Sequence, residues 1–101
     1  MKLIVVLSLE ACADDLMPVY RGLGIPVFSE TDIRGFYLHP PAVAPNNWFG
    51  STDAPAYSKL TFAFVEDEQA GRLLDAIRAH NETHGRPHPV RAFTLNVEQS
   101  V

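Results

Sequence analysis

Basic clusters, cysteine pairs and long apolar runs are all missing from this sequence of 101 residues, and each absence excludes a class of protein. The 8 Lys and Arg residues are outnumbered by 12 Asp and Glu residues and never cluster, so we expect neither nucleic acid nor an anionic membrane as a partner. The single cysteine, Cys12, cannot form an intrachain disulfide, which suits a reducing cytoplasm. The apolar stretch near the amino terminus is too short to insert into a bilayer, and acidic residues follow it too soon for a signal peptide.

Catalytic signatures are missing as well. We find no Ser, His and Asp set, no phosphate-binding glycine loop and no paired acid motif. The acidic residues Asp14, Asp15 and Asp67 stand at expected helix starts, where a negative charge complements the helix dipole. We therefore expect that the protein is not an enzyme. With 47% apolar and 20% charged residues, the chain is expected to form one globular domain over residues 1–101.

Apolar residues recur with strand and helix periods in the order strand, helix, strand, strand, helix, strand. The predicted strands cover residues 3–9, 27–39, 58–65 and 90–97. One predicted helix covers residues 11–23, in which Pro18 is tolerated if the hydrogen-bonded part starts near Asp14 or Asp15. The other runs from Asp67 to between His80 and Gly85. This order predicts an α+β domain of the ferredoxin-like kind, a four-stranded antiparallel sheet with two helices on one face.

The alternation within the strands also assigns side chains to the two faces of the sheet. We place Phe93, Leu95 and Val97 of the last strand against the helices. The residues expected on the other, uncovered face are neither charged nor strongly polar and include Thr31, Ile33, Thr61 and Ala63. Subunits are therefore expected to pack sheet against sheet, and the small size of the domain also favours association.

A long connection from Pro40 to Ala56 separates the second and third predicted strands. Hairpins usually close in about two to five residues, so a connection of this length inside so small a domain indicates a functional segment. It contains four prolines and, less expectedly, Trp48 and Phe49. This aromatic pair is expected either to fold back on its own oligomer or to bind a partner protein, since aromatic residues dominate many interfaces.

Residues 24–36, Gly-Ile-Pro-Val-Phe-Ser-Glu-Thr-Asp-Ile-Arg-Gly-Phe, resemble the approach to the long loop of the PII signalling superfamily. Residues 59–68 are similar to that family's third strand and helix start, and residues 93–98 to its last strand. The resemblance covers most of the chain. It implies a ferredoxin-like subunit that forms homotrimers and binds a nucleotide in the clefts between subunits.

The resemblance also implies effector-binding residues. Ser29 and Gly35 stand where the family has a threonine and a glycine at the loop base, and Gly85 and Arg86 stand in the family's phosphate-binding loop. Arg86 could form a forked contact with a phosphate or carboxylate, or could simply be a surface arginine in a turn. Because His84-Gly85-Arg86-Pro87-His88 replaces the family's Gly-Asp-Gly-Lys, the resemblance implies a ligand smaller or less charged than ATP, such as AMP or ADP.

Two histidines offer a different chemistry. His80 and His84 are spaced i,i+4 and would share one face of the predicted second helix, with His88 shortly after. Nitrogen ligands of this kind suit zinc, copper or nickel. The alternative is a solvated polar helix end, because no further ligand cluster supports a metal site.

Three hypotheses about function follow. The first is a cytoplasmic, trimeric PII-like regulator that senses a small effector, such as an adenine nucleotide. It would signal through the 40–56 loop to a protein target such as a membrane transporter or an enzyme. The second is a metal-responsive PII-like protein associated with heavy-metal transport. The third is a structural adaptor that binds no small molecule.

Overall fold

The computed structural model describes residues 1–36, 56–84 and 88–101. Its strands are β1 (Lys2–Leu9), β2 (Ser29–Gly35), β3 (Ala56–Val65) and β4 (Arg91–Asn96). Its helical elements are α1 (Glu10–Ala13), a 3-10 turn (Asp14–Leu16), α2 (Met17–Gly22) and α3 (Asp67–His84). The predictions for Trp48, Phe49, Gly85, Arg86 and most of the Pro40 to Ala56 connection concern residues outside the described ranges.

The four strands form one antiparallel sheet in the order β2-β3-β1-β4. The helical elements pack on one face of this sheet, which confirms the predicted ferredoxin-like α+β arrangement. The central strand β1 pairs with a strand on each side and is apolar at almost every position, so it presents apolar side chains to both faces of the sheet. Among the described residues, no helix is long and apolar enough to cross a bilayer.

The first helical segment is irregular because of its proline. Pro18 lies in the first turn of α2, where its missing N–H would have had no intrahelical acceptor, and a 3-10 turn joins this short helix to α1. Gly24 then adopts a positive φ of 69°, the left-handed conformation that glycine takes without strain. The chain leaves the helix there and turns toward β2.

The second helix, α3, begins at Asp67 as predicted and continues to His84. It buries a stripe formed by Ala70, Leu73 and Ile77 against the sheet. On its exposed side, Glu68 and Arg72 form an i,i+4 ion pair at 3.8 Å.

The assignment of side chains to the two faces was partly wrong. Thr61 and Ala63 are buried beneath the helices, at 3% exposure each, whereas Phe93 and Leu95 are 42% and 49% exposed on the other face. The register explains this result, because Ala63 pairs with the buried Ile4, while Phe93 pairs with Val5 on the opposite side. Small side chains let the helices approach the sheet closely, so the larger ones are left outside.

Tyr20 of α2 reaches into the core, where it is 3% exposed and its ring lies 4.9 Å from that of Phe28. Its hydroxyl has no hydrogen-bond partner among the described residues. Burial raises the pKa of Tyr20 from its ordinary value of 10.0 to about 12, and the nearby Thr61 hydroxyl only partly opposes this effect.

This pKa predicts a loss of stability at high pH. Between the two pKa values, the unfolded chain releases the Tyr20 proton and the folded chain keeps it, so raising the pH favours unfolding. The free energy of unfolding should fall by about 2 kcal/mol as the pH rises from 10 to 12. Urea titrations across this range should detect the loss, and the Tyr20→Phe variant should lack that part of it. An identical pH dependence in both proteins would contradict the assignment.

Candidate functional site

The face of the sheet opposite the helices is apolar and uncovered by any described part of the chain. Its centre, here called the open face, consists of eight residues on three strands: Leu3, Val5, Leu7, Leu60, Phe62, Phe64, Phe93 and Leu95. Phe64 is 57% exposed, and Phe62 is 36% exposed. An exposed apolar surface of this kind usually marks a site of interaction.

The register arranges the open face in cross-strand rows. Val5 lies between Phe62 and Phe93, and Leu3 lies between Phe64 and Leu95. Directly opposed side chains in antiparallel strands lie about 4.5–5.5 Å apart at Cβ, so each row is a continuous apolar contact. Among the described strand positions on this side of the sheet, Arg91 is the one charged residue, and its guanidinium lies 5.4 Å from the centre of the Phe93 ring.

A pocket of about 180 Å³ lies beside the open face, between the start of β2 and the end of β3. It is lined by Val27, Phe28, Ser29, Phe62, Ala63 and Phe64. The Ser29 hydroxyl is its one polar side-chain group, and Ser29 pairs directly with Phe62 across the sheet. Aromatic walls with a single hydroxyl suit an uncharged planar ring better than a phosphate.

Ser29 and Gly35 occupy opposite ends of β2. They are on the same side of the strand, with Ser29 next to Phe62 and Gly35 next to Ala56 at the base of the long connection. Five strand residues lie between them, so the two Cα atoms are about 20 Å apart along the strand. A single subunit therefore does not bring these two predicted effector residues together, and Gly85 and Arg86 are outside the described ranges.

Sequence reasoning missed Phe62 and Phe64 as candidate site residues. Their alternation with Thr61 and Ala63 correctly indicated a strand but was interpreted with its two faces exchanged. The size of the side chains could have identified the correct face. Two phenylalanines need more space beneath a packed helix layer than a threonine and an alanine.

His80 and His84 lie next to each other near the end of α3. Their ring centres are 5.1 Å apart with planes inclined by 24°, and the Thr83 hydroxyl lies 2.7 Å from Nδ1 of His84. Stacked rings present their faces to each other, so joint binding of one ion requires at least one ring to rotate. In the part of the chain that the structure describes, no group of three or more His, Cys, Asp or Glu side chains could hold a metal ion.

No family model and no curated protein matches the chain. Solved structures do match its fold. A protein assigned as a PII-like signalling protein from Thermus thermophilus aligns with a TM-score of 0.63 and 22% identity, over 95% of this chain and 84% of that one. A DUF3240 family protein from Shewanella baltica aligns with a TM-score of 0.68 and 17% identity, over 99% of this chain and 92% of that one. The predicted resemblance is thereby confirmed at the level of architecture, and the chain has a divergent PII-like fold.

Proposed function

We propose that this chain is a subunit of a PII-like regulatory protein. In this proposal three copies associate through their open faces, bind a small effector between subunits and signal to a partner protein in the cytoplasm. The role is sensing rather than catalysis. The observation that carries the proposal is the continuity of the open face with the Ser29 pocket, on a PII-like fold.

Association is supported by the cost of leaving the open face in water. Phe64, Phe93 and Leu95 are each between 42% and 57% exposed in the single subunit. Full burial of one such side chain contributes about 1.5–3 kcal/mol, so several of them together provide a substantial driving force for association. The subunit number of three comes from the resemblance to the PII superfamily.

The effector proposal is supported by the shape and chemistry of the pocket. Its volume of about 180 Å³ is below the range of about 300–1,000 Å³ that encloses a whole ligand, so it would hold a ring rather than a complete nucleotide. An adenine ring would lie against Phe62 and Phe64 and accept or donate a hydrogen bond at Ser29. The remaining part of AMP or ADP would lie in the cleft toward a neighbouring subunit.

The geometry of β2 suggests how effector and loop would communicate. Ser29 and Gly35 are too far apart for one mononucleotide to touch both, so a shared effector would meet Ser29 of one subunit and the loop base of another. The loop that begins beyond Gly35 would then populate a different conformation when the cleft is filled. We propose that Trp48 and Phe49 carry that difference to the partner, a membrane transporter or an enzyme.

The association proposal predicts the effect of a single charge on the open face. Phe64→Asp should convert the trimer to monomers, because an unpaired carboxylate would be buried in an apolar contact. Sedimentation equilibrium should then give about 11.2 kDa instead of about three times that mass. Tyr57→Asp is the matched control, since Tyr57 is on the same strand, is 63% exposed and pairs with Arg34 away from the open face. A monomeric wild-type protein would refute the proposal.

The effector proposal is tested by calorimetric titration with AMP, ADP, ATP and cyclic nucleotides. We expect binding of AMP or ADP, and a loss of about three- to tenfold in affinity for Ser29→Ala, which removes one hydrogen bond. Thr31→Ala is the control, because Thr31 is exposed on the same side of β2 but does not line the pocket. If none of the nucleotides binds, this effector class is excluded, and the association proposal is unaffected.

A second candidate function, metal sensing, is favoured by the 5.1 Å separation of the His80 and His84 rings. We propose zinc or copper as the ion, because imidazole nitrogens are their common ligands. The double variant His80→Ala, His84→Ala should abolish binding in equilibrium dialysis, whereas His88→Ala, at an exposed position beyond α3, should retain more of it. Unchanged binding by the double variant would exclude this pair as the site.

A further inference from the structure

The outer edge of β4 carries backbone groups without a strand partner in the described part of the chain. The N–H of Val97 donates to the carbonyl of Met1 at 3.4 Å. With the register of the two strands, this bond determines which residues of β4 direct their backbone groups to β1. Backbone groups alternate in direction along an antiparallel strand. Phe93 and Leu95 therefore direct their N–H and C=O groups to β1, while those of Ala92 and Thr94 point outward.

The contacts of Asn81 of α3 agree with this alternation of backbone groups along β4. Its Nδ2 donates to the carbonyl of Val90 at 2.8 Å, and its Oδ1 accepts from the N–H of Val90 at 2.8 Å. Val90 precedes Ala92 by two residues and so directs its groups to the same outer side. A side-chain amide already occupies the position that the peptide group of a fifth strand would take at this edge.

The two edges of the sheet differ in protection. In β2, Glu30, Asp32 and Arg34 place charges along the edge, and charged edge strands resist pairing with other chains. The six residues of β4, Arg91–Asn96, include one charge and no proline. Within the described residues, the β4 edge therefore lacks the charges and prolines that usually hinder strand addition.

A cleft beside this edge supplies room for an added segment. It has a volume of about 260 Å³ and lies between α3 and the beginning of β4. Its apolar lining consists of Leu74, Ile77, Pro89, Val90 and Ala92. Arg78 stands at the same cleft with its side chain 70% exposed. Its Nη1 lies 2.7 Å from a carboxylate oxygen of Asp75, which leaves other donors of the guanidinium available.

The geometry points to strand addition. We propose that an extended, acidic segment of a partner protein binds between α3 and β4, continues the pairing begun by Asn81 along Ala92 and Thr94, and places a carboxylate at Arg78. Recognition of this kind draws affinity from main-chain hydrogen bonds and specificity from alternate side chains. An acidic segment is favoured because Arg78, which lines this cleft, is one of only 8 Lys and Arg residues in an otherwise acidic chain.

This surface is separate from the Ser29 pocket. The pocket lies on β2 and β3, whereas the cleft lies beyond β4, on the other side of the central strand β1. The inference therefore goes beyond the proposed function and does not depend on effector binding.

The first test uses the full chain without any peptide. Amide hydrogen exchange followed by NMR should be faster at Ala92 and Thr94 than at Phe93 and Leu95, whose amides pair with β1. Slow exchange at Ala92 and Thr94 in the free protein would mean that another copy of the chain already covers the edge, and would overturn the proposal.

The second test adds a blocked peptide, acetyl-Thr-Val-Glu-Val-Thr-Val-Thr-amide, and follows the same amides. Binding should slow exchange at Ala92 and Thr94, and a version N-methylated at alternate peptide bonds should not bind, because it lacks the donors that strand pairing requires. Equal binding of the methylated peptide would refute strand addition.

The third test isolates the ion pair. Arg78→Gln should weaken the peptide with glutamate by about two- to fivefold, as expected for an exposed charge pair, and should leave a glutamine twin of the peptide unaffected. Arg72→Gln is the matched control, on the same helix but outside the cleft lining. An equal effect on both peptides, or none on either, would contradict the role given to Arg78.

Discussion

The structure depends on a sheet that is apolar on both faces but covered by helices on only one. In β1, Ile4 and Val6 are buried under the helices, while Leu3, Val5 and Leu7 alternate with them on the other side. Each side of an antiparallel sheet needs its own cover if it is apolar. The chain supplies a helix layer for the first face, and the described residues supply nothing for the second. The open face therefore determines both how copies would associate and where a ligand could be enclosed between them.

The two edge strands of the sheet, β2 and β4, contribute differently to the proposals. At β2, one subunit offers an aromatic pocket with Ser29 at one end of the strand and the base of the long connection at the other. In the proposed oligomer, a neighbouring subunit would supply the opposite half of this site. At β4, the edge has no strand partner among the described residues, and Asn81 of the same chain hydrogen-bonds the backbone just before it, so the proposed strand addition would need no second subunit. In the two proposals, effector binding and the binding of an extended segment would thus use separate surfaces.

Much of the fold followed from sequence periodicity, because strand and helix periods depend on local patterns. The predicted order and the start of α3 at Asp67 agree with the structure, whereas the helix predicted over 11–23 is divided by a 3-10 turn just before the segment that contains Pro18. The faces of β3 and β4 could not be assigned from the pattern alone, because the set with smaller side chains, such as Thr61 with Ala63 and Ala92 with Thr94, is the one that packs under the helices. The distance between Ser29 and Gly35 could not be predicted either, because a resemblance identifies residues without saying whether they belong to the same copy of a site.

The central claim, that other copies of the chain cover the open face, is tested most directly by the solvent exposure of its aromatic rings. A soluble paramagnetic probe added to the native protein broadens the NMR signals of exposed protons, and Tyr57, which is 63% exposed in the subunit, provides the internal reference. The account predicts that Phe62, Phe64 and Phe93 are protected while Tyr57 is broadened. Broadening of these three rings to the extent expected from their exposure in the single subunit would contradict it.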